Sequence, residues 1–154
     1  MKVFNKVIMM LSLTGVILSS CSSDDKAPSQ EEKQLKMLAD TWVVTSATMD
    51  GGDITSDYSS FELSLSGSAS EEVYDYGVVG RPELSPWPSG GTWSFGSDLK
   101  SDLVRDPNTG DVLHMDYTVT KTQLTIEFMF NGLGYNASRV NSVEGNWVYT
   151  FTKK

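Results

Sequence analysis

Apolar and polar residues alternate strictly along much of this chain, and this alternation limits the folds open to it. In segment 123–130 every second residue is apolar, namely Leu124, Ile126, Phe128 and Phe130. Segment 112–119 repeats the pattern with Leu113, Met115, Tyr117 and Val119. A period of two is typical of strands in antiparallel sheets that have one buried face and one solvent-exposed face. The alternation therefore predicts an all-β fold.

Eight segments carry a strand signal, and turn residues separate several of them. The predicted strands are 41–49, 61–66, 72–79, 91–95, 102–105, 112–119, 123–130 and 146–152. Gly and Asp or Asn at 50–53 and 108–110 favour tight turns, and only a few polar residues separate 119 from 123. We predict a single antiparallel up-and-down β-barrel of about eight strands, with a β-sandwich as the alternative.

One short helix is predicted before the first strand. Ser29 and Glu32 have the spacing of a capping box, in which each side chain pairs with the backbone of the other residue. The helix should run through about Leu38, with Leu35 and Leu38 as its apolar contacts.

The first 20 residues have the features of an export signal. Lys2 and Lys6 precede an apolar run of 12 residues, which is shorter than the roughly 20 residues of a membrane-spanning helix. The run ends in Leu-Ser-Ser-Cys at 18–21, which resembles the lipobox of bacterial lipoproteins. The resemblance implies cleavage before Cys21 and lipid attachment to its thiol. The chain then divides into a signal peptide (1–20), a polar tether (21–28) and one domain (29–154).

The same region predicts a location. Residues 22–26, Ser-Ser-Asp-Asp-Lys, resemble the acidic signal that sends Bacteroidetes lipoproteins to the cell surface, although a solvated tether has the same composition. We expect a lipid-anchored outer-membrane protein, with the surface and periplasmic faces as alternatives. Because the leader holds two lysines and no acidic residue, its removal changes the net charge from −8 to −10. This negative charge argues against nucleic acid as a partner, because phosphates require a basic surface. We also expect the protein to be a monomer.

Short motifs within the strands resemble a known family. They are Leu-Ala-Asp-Thr-Trp at 38–42, Gly-Thr-Trp-Ser-Phe at 91–95, Tyr-Thr-Val at 117–119 and Gln-Leu-Thr-Ile at 123–126. Together they resemble the lipocalin-like (calycin-type) lipoproteins of Bacteroidetes. The resemblance implies an eight-stranded barrel in which Trp42 closes one end and the interior holds a small apolar ligand.

Ten aromatic residues fall on the predicted inward faces and leave two interpretations of the interior. They are Trp42, Phe61, Trp93, Phe95, Tyr117, Phe128, Phe130, Trp147, Tyr149 and Phe151. An eight-stranded barrel is just wide enough to be filled by side chains. The aromatics therefore form either a packed core or the wall of a ligand cavity, and a packed core is the commoner use of such stripes.

The sequence offers little for catalysis or metal binding. His114 is the single histidine and is predicted to point outward from its strand, with Asp116 as a neighbour. Cys21 is the single cysteine, and the lipid would occupy it, so no thiolate remains for a metal. Segment 106–111 has oxygen-bearing residues spaced like a calcium loop but lacks the bidentate Glu, and a β-turn explains it equally well. We expect no enzymatic activity, metal or cofactor.

Two loops carry the candidate binding residues. In 80–90 three prolines surround Trp87, which either presents its ring outward or folds back over the barrel mouth. In 131–139 the candidates are Tyr135 and Arg139. The leading hypothesis is a module that binds a small apolar or amphipathic molecule. The alternative is a structural or accessory surface protein whose packed barrel binds a protein or glycan through its loops.

The anchor hypothesis makes a direct prediction. Replacing Cys21 with Ala removes the thiol that would carry the acyl chains, each of whose buried methylenes contributes about 0.8 kcal/mol to membrane binding. The variant should move from the membrane fraction to the soluble fraction, as judged by fractionation and immunoblotting. A Ser22→Ala variant is the control and should stay with the membrane. Retention of both variants would contradict lipidation at Cys21.

Overall fold

The computed structural model describes residues 27–135 and 143–154 of the chain. One helix, α1 (Gln30–Leu38), precedes nine strands, and a 3-10 helix spans Thr55–Tyr58. The strands are β1 (Thr41–Met49), β2 (Gly52–Asp53), β3 (Glu62–Ser66), β4 (Tyr74–Val79), β5 (Gly90–Phe95), β6 (Asp102–Arg105), β7 (Leu113–Val119), β8 (Gln123–Phe130) and β9 (Gly145–Lys153). All eight predicted strands are present, with ends shifted by at most two residues. The short β2 was not predicted.

These strands form a single closed sheet. The predicted barrel is therefore confirmed, and the alternative β-sandwich is not what the chain forms. Each strand from β3 to β8 pairs antiparallel with the next, and β1 pairs with both β3 and β9. The β1–β9 ladder runs from Trp42 opposite Lys153 to Met49 opposite Trp147, with an irregularity between Val44 and Ser46. Bulges of this kind bend a strand and increase its twist, which helps a sheet to close. Closure leaves β1 and β9 without an exposed edge.

The up-and-down order divides the connections between two ends of the barrel. The chain enters at the end covered by α1, which we call the closed end; the connections after β3, β5 and β7 lie there too. The connections after β1, β4, β6 and β8 lie at the opposite end, which we call the open end. Functional loops of such barrels lie at one end, so this division determines which loops can act together.

The closed end is sealed by Trp42 and α1. The Ser29–Glu32 capping box is present as predicted, and Leu38 of the helix is buried. Trp42 is fully buried, and its Nε1 donates to the Leu38 carbonyl oxygen at 2.8 Å. Lys153 Nζ lies 5.6 Å from the centre of the Trp42 ring. The helix, the first strand and the last strand therefore meet at Trp42.

The barrel interior is filled by aromatic rings around Tyr149. Four rings stack on it within 20° of parallel, at centroid distances of 5.6 to 6.1 Å: Phe61, Phe128, Trp147 and Phe151. Of the ten aromatics predicted to face inward, Phe95 and Phe130 are partly buried and the other eight are buried. Two further aromatics, Tyr58 and Trp87, are buried there although neither belongs to a strand.

Burial of tyrosines makes the stability of the barrel sensitive to alkali. Burial raises the pKa of Tyr117 from 10.0 to about 12, and it raises the pKa of Tyr149 further still. In the unfolded chain these phenols ionise near pH 10. The contribution of Tyr117 to stability should therefore be complete below pH 10 and lost as the pH rises through 12, whereas the contribution of Tyr149 continues to fall at higher pH.

Urea unfolding at pH 9 and pH 11 measures this loss. Each buried tyrosine should reduce the free energy of unfolding by up to about 1.4 kcal/mol per pH unit above pH 10. Tyr117→Phe should show a smaller loss between the two pH values than the parent protein, because one ionising group is gone. Equal losses in the two proteins would show that Tyr117 does not contribute.

Candidate functional site

The open end contains two clefts. The first, of about 400 Å³, lies between the connection after β6, the start of β7 and the segment after β8, and includes Arg105 and Tyr135. We call it the Arg105 cleft. The second, of about 480 Å³, lies between the loop at 80–89 and the 3-10 helix and includes Tyr58 and Trp147. We call it the Trp147 cleft.

Trp87 separates these clefts from the core. Its side chain is only 1% exposed, so of the two predicted orientations the ring adopts the inward one. The ring lies edge-on to Tyr76, Phe128 and Tyr149, with centroids 5.9, 5.7 and 6.2 Å away. Trp87 is therefore an inner wall of the barrel mouth, and its ring presents no exposed face to a partner.

Two arginines hold the loop at 80–89 in the mouth. Arg81 donates to the carbonyl oxygens of Trp87 at 2.9 Å and Tyr135 at 3.3 Å. Arg105 donates to the carbonyl oxygen of Pro86 at 2.8 Å. Charged donors make stronger hydrogen bonds than neutral ones. The loop is therefore fixed to β6 and to the segment after β8.

Arg105 and Asp106 form a buried ion pair at the end of β6. Arg105 is 1% exposed, and its Nε lies 3.4 Å from Asp106 Oδ2. Asp106 also accepts from the Tyr76 hydroxyl and the Thr92 amide, both at 3.0 Å. Burial raises the pKa of Tyr76 far above its usual range, which keeps that hydroxyl protonated as a donor. The carboxylate therefore accepts two hydrogen bonds and lies beside the charge of Arg105.

Local backbone geometry makes room for this pair. Asp106 has a φ of 52°, a conformation that non-glycine residues seldom adopt. At Gly91 a Cβ would lie 2.2 Å from Asp106 Oδ1, so only glycine fits opposite the carboxylate. The predicted calcium-like segment thus begins with an aspartate already bonded to protein groups, and Thr109 N donates to the Asp106 carbonyl oxygen at 3.1 Å in a turn.

The Arg105 guanidinium lies between two aromatic rings. Its central carbon is 5.3 Å from the Trp87 ring centre and 5.6 Å from that of Tyr135, within the range of cation–π contact. Nη2 reaches the Tyr135 hydroxyl at 3.4 Å, which is long for a hydrogen bond. Nε is buried and makes no hydrogen bond to the described part of the chain. The guanidinium retains unused donor capacity.

The Trp147 cleft is mostly apolar. Its apolar lining consists of Met49, Ile54, Pro82, Leu84, Val143, Tyr58 and Trp147. The Tyr58 ring lies edge-on to Trp147, with centroids 5.9 Å apart, and Trp147 Nε1 donates to the Val143 carbonyl oxygen at 2.9 Å. Asp57 and Glu83 are the charged residues of the lining. The cleft therefore has rigid aromatic walls and an acidic rim.

The predicted site residues occupy different places. Tyr135 lines the Arg105 cleft, Trp87 lies beneath the loop, and Trp42 lies at the closed end. Cys21 and Arg139 lie outside the described residues. His114 points outward as predicted, with a side chain 70% exposed, but its near neighbour is Asp102 at 3.4 Å and not Asp116.

Sequence reasoning missed Arg105 and Tyr58. Arg105 is two residues after the buried Leu103 and is paired with the inward-facing Trp93, so strand geometry places it on the inner face. That signal was available, but an inward arginine contradicts the usual pattern of exposed charge. Tyr58 lies in a 3-10 helix, for which alternation carries no information.

Three further observations bear on the kind of protein this is. Comparisons with protein-family models, with curated proteins and with solved structures give no match. Within residues 27–135 and 143–154, no helix combines the length and apolar character of a membrane span. In the same residues, no three His, Cys, Asp or Glu side chains cluster in a way that could hold a metal ion.

The buried ion pair predicts a non-additive pattern of stability. Arg105→Met should leave Asp106 buried without its counter-charge and lower the free energy of unfolding by about 3–5 kcal/mol. Asp106→Asn should likewise leave a buried guanidinium unpaired. The double variant should be more stable than the sum of the two single losses implies, because no lone charge remains. Denaturant unfolding of the four proteins measures the coupling. Strictly additive losses would contradict an energetically coupled pair.

Proposed function

We propose that this protein is a lipid-anchored binding module that holds a small apolar or amphipathic molecule in the Trp147 cleft. The observation that carries the proposal is the lining of that cleft, which is apolar except for two acidic residues. Small-molecule sites are typically clefts of about 300–1,000 Å³ with mostly hydrophobic and aromatic walls and a few polar groups. The volume of about 480 Å³ lies within this range.

The packed core supports a site at the mouth in preference to one deep in the barrel. The rings of Phe61, Phe128 and Phe151 stack against Tyr149 in the interior, and Trp87 covers them from the open end. A ligand could enter that space only by displacing packed rings, each of which buries about 150–250 Å². The Trp147 cleft is open without any such displacement.

The charges at the rim restrict the ligand further. Asp57 and Glu83 line the Trp147 cleft, and within residues 27–135 and 143–154 no lysine or arginine does. Carboxylates at this position repel an anionic head group and attract a cationic one. The site therefore suits a neutral apolar molecule or an amphipathic one whose polar end is neutral or positive.

The anchor and tether suit such a role. A lipid at Cys21 would hold the domain at the membrane, and the polar segment 21–28 would let the barrel stand off from it. The net charge, which removal of the leader would change from −8 to −10, would keep the anchored chain from lying on an anionic lipid surface. Because α1 covers the closed end, a tether that joins it would leave the clefts of the open end free on the opposite side of the barrel.

Placing a charge in the cleft tests the proposal. Leu84→Asp introduces a carboxylate into the apolar wall, and Val79→Asp introduces the same charge at a residue that is 61% exposed. N-phenyl-1-naphthylamine, a neutral apolar fluorophore, serves as the probe, and energy transfer from tryptophan reports its binding. Leu84→Asp should weaken binding by about tenfold or more, since burying a charge beside an apolar ligand is costly.

Detergent or lipid around the anchor contributes equally to both variants, so their difference isolates the cleft. Val79→Asp should bind the probe as the parent chain does. Equal binding by Leu84→Asp and Val79→Asp would rule out the Trp147 cleft as the site. Failure of the parent chain to bind the probe would oppose the proposed function itself.

A further inference from the structure

We propose that the Arg105 cleft is a second binding site, whose ligand is a neutral sugar. The cleft combines a buried guanidinium, an exposed carboxylate, aromatic rings and exposed apolar side chains. It is separate from the apolar Trp147 cleft, and the inference does not rest on the function proposed for that cleft.

The balance of charge favours a neutral ligand. Arg105 lies in the lining and is paired with Asp106 at 3.4 Å, so the pair is close to neutral. Asp111 lies in the same lining and adds a negative charge. An anion would be repelled by Asp111 and gain little from an arginine that is already paired. A cation would be attracted by Asp111 but repelled by the guanidinium. A neutral ligand avoids both penalties.

The hydrogen-bonding groups favour a ligand that both donates and accepts. Of the Arg105 donors, Nε is buried beside Asp106 and Nη1 donates to the Pro86 carbonyl oxygen, while Nη2 makes only the long contact to Tyr135 and keeps donor capacity. Asp111 provides carboxylate acceptors, and Asn131 in the same lining provides an amide that does both. A sugar hydroxyl accepts from a guanidinium and donates to a carboxylate. Several adjacent hydroxyls on one ring match a cleft with donors and acceptors side by side.

The apolar surface around these groups suits the C–H faces of a sugar ring. Among the described residues, four large apolar side chains are exposed, and three of them line this cleft: Val112, Met129 and Leu133. The partly buried rings of Phe130 and Tyr135 lie beside them, with centroids 6.3 Å apart. Concentration of exposed apolar surface in one place marks a binding site.

A purely apolar ligand does not fit this cleft. It would cover Arg105 and Asp111 without supplying hydrogen bonds, and a buried polar group without a partner costs about 1–3 kcal/mol. A sugar covers the apolar rim and satisfies the polar floor together. The two clefts of the open end therefore select different chemical classes.

The wall that carries Tyr135 is preorganised. Tyr135 N donates to the Ser85 carbonyl oxygen at 2.8 Å, and Arg81 donates to the Tyr135 carbonyl oxygen. A Cβ at Gly134 would lie 2.9 Å from the Ser85 carbonyl oxygen, so the two segments approach as closely as glycine allows. A wall that is already in place reduces the entropic cost of binding.

Saturation-transfer NMR on the whole chain tests the inference with defined sugars. The neutral probes are maltose, cellobiose, lactose and N,N′-diacetylchitobiose; the charged ones are the unsaturated hyaluronan disaccharide and chitosan disaccharide. At least one neutral probe should show saturation transfer with a Kd in the millimolar range, for which about −4 kcal/mol of binding free energy suffices. The anionic and cationic disaccharides should bind more weakly than the best neutral one.

Variants locate the contact. Asp111→Ala removes the exposed carboxylate, and Leu133→Ser removes an exposed apolar contact; each should weaken binding of the neutral sugar by about fivefold or more. Asp57→Ala changes the Trp147 cleft and should leave sugar binding unchanged. Circular dichroism of the variants checks that the fold is retained, which is expected because both Asp111 and Leu133 are exposed.

Three results would overturn the inference. They are preference for a charged disaccharide, absence of saturation transfer from every neutral probe, and sugar binding that survives Asp111→Ala and Leu133→Ser together. Each is distinguishable from failure of the Trp147 cleft to bind N-phenyl-1-naphthylamine, because that experiment uses another ligand class and other variants.

Discussion

Pairing of the first strand with the last is the interaction on which the rest of this structure depends. The β1–β9 ladder joins Trp42 to Lys153 at one end and Met49 to Trp147 at the other. Without it the sheet would have two unpaired edges, and the aromatic faces would open to water. With it, Tyr149 and Phe151 of the last strand pack against Phe61, with ring centroids 5.6 and 6.0 Å away. Closure also collects four connections at one end, and both clefts lie there.

Because aromatic rings fill the interior, the space for a ligand lies at the mouth of the barrel. Because Tyr149 is surrounded by stacked rings, the interior acts as a rigid support for the loops. Trp87 and Tyr58 extend that support outward, since each belongs to a connection yet is buried among the strands' aromatics. The loop at 80–89 lines the Trp147 cleft and is held at Pro86 by Arg105, whose guanidinium lines the other cleft. The two clefts therefore differ in polarity although they lie at the same end.

Alternation predicted the fold because it is a local pattern that strand geometry enforces. Leu124, Ile126 and Phe128 alternate with other residues and therefore lie on one face of a strand. A sheet with one buried face and one solvent-exposed face must either close on itself or pack against a second sheet. The capping box at Ser29 was similarly local. The clefts were harder to predict, since they depend on residues far apart in sequence. The role of Arg105 at the mouth depends on Pro86 and Tyr135, which only the folded chain brings to it.

The sequence by itself determined the strands, the helix cap, the inward set of aromatics and the outward position of His114, because each follows from the repeat of the backbone. Only the tertiary structure decided that the sheet closes, that Trp87 turns inward, and that Arg105 is buried between two rings. Closure depends on pairing of the first strand with the last, and the other two features depend on which loops meet at the open end. Contacts between segments separated by dozens of residues have no local pattern, so their physical basis exists only once the barrel has formed.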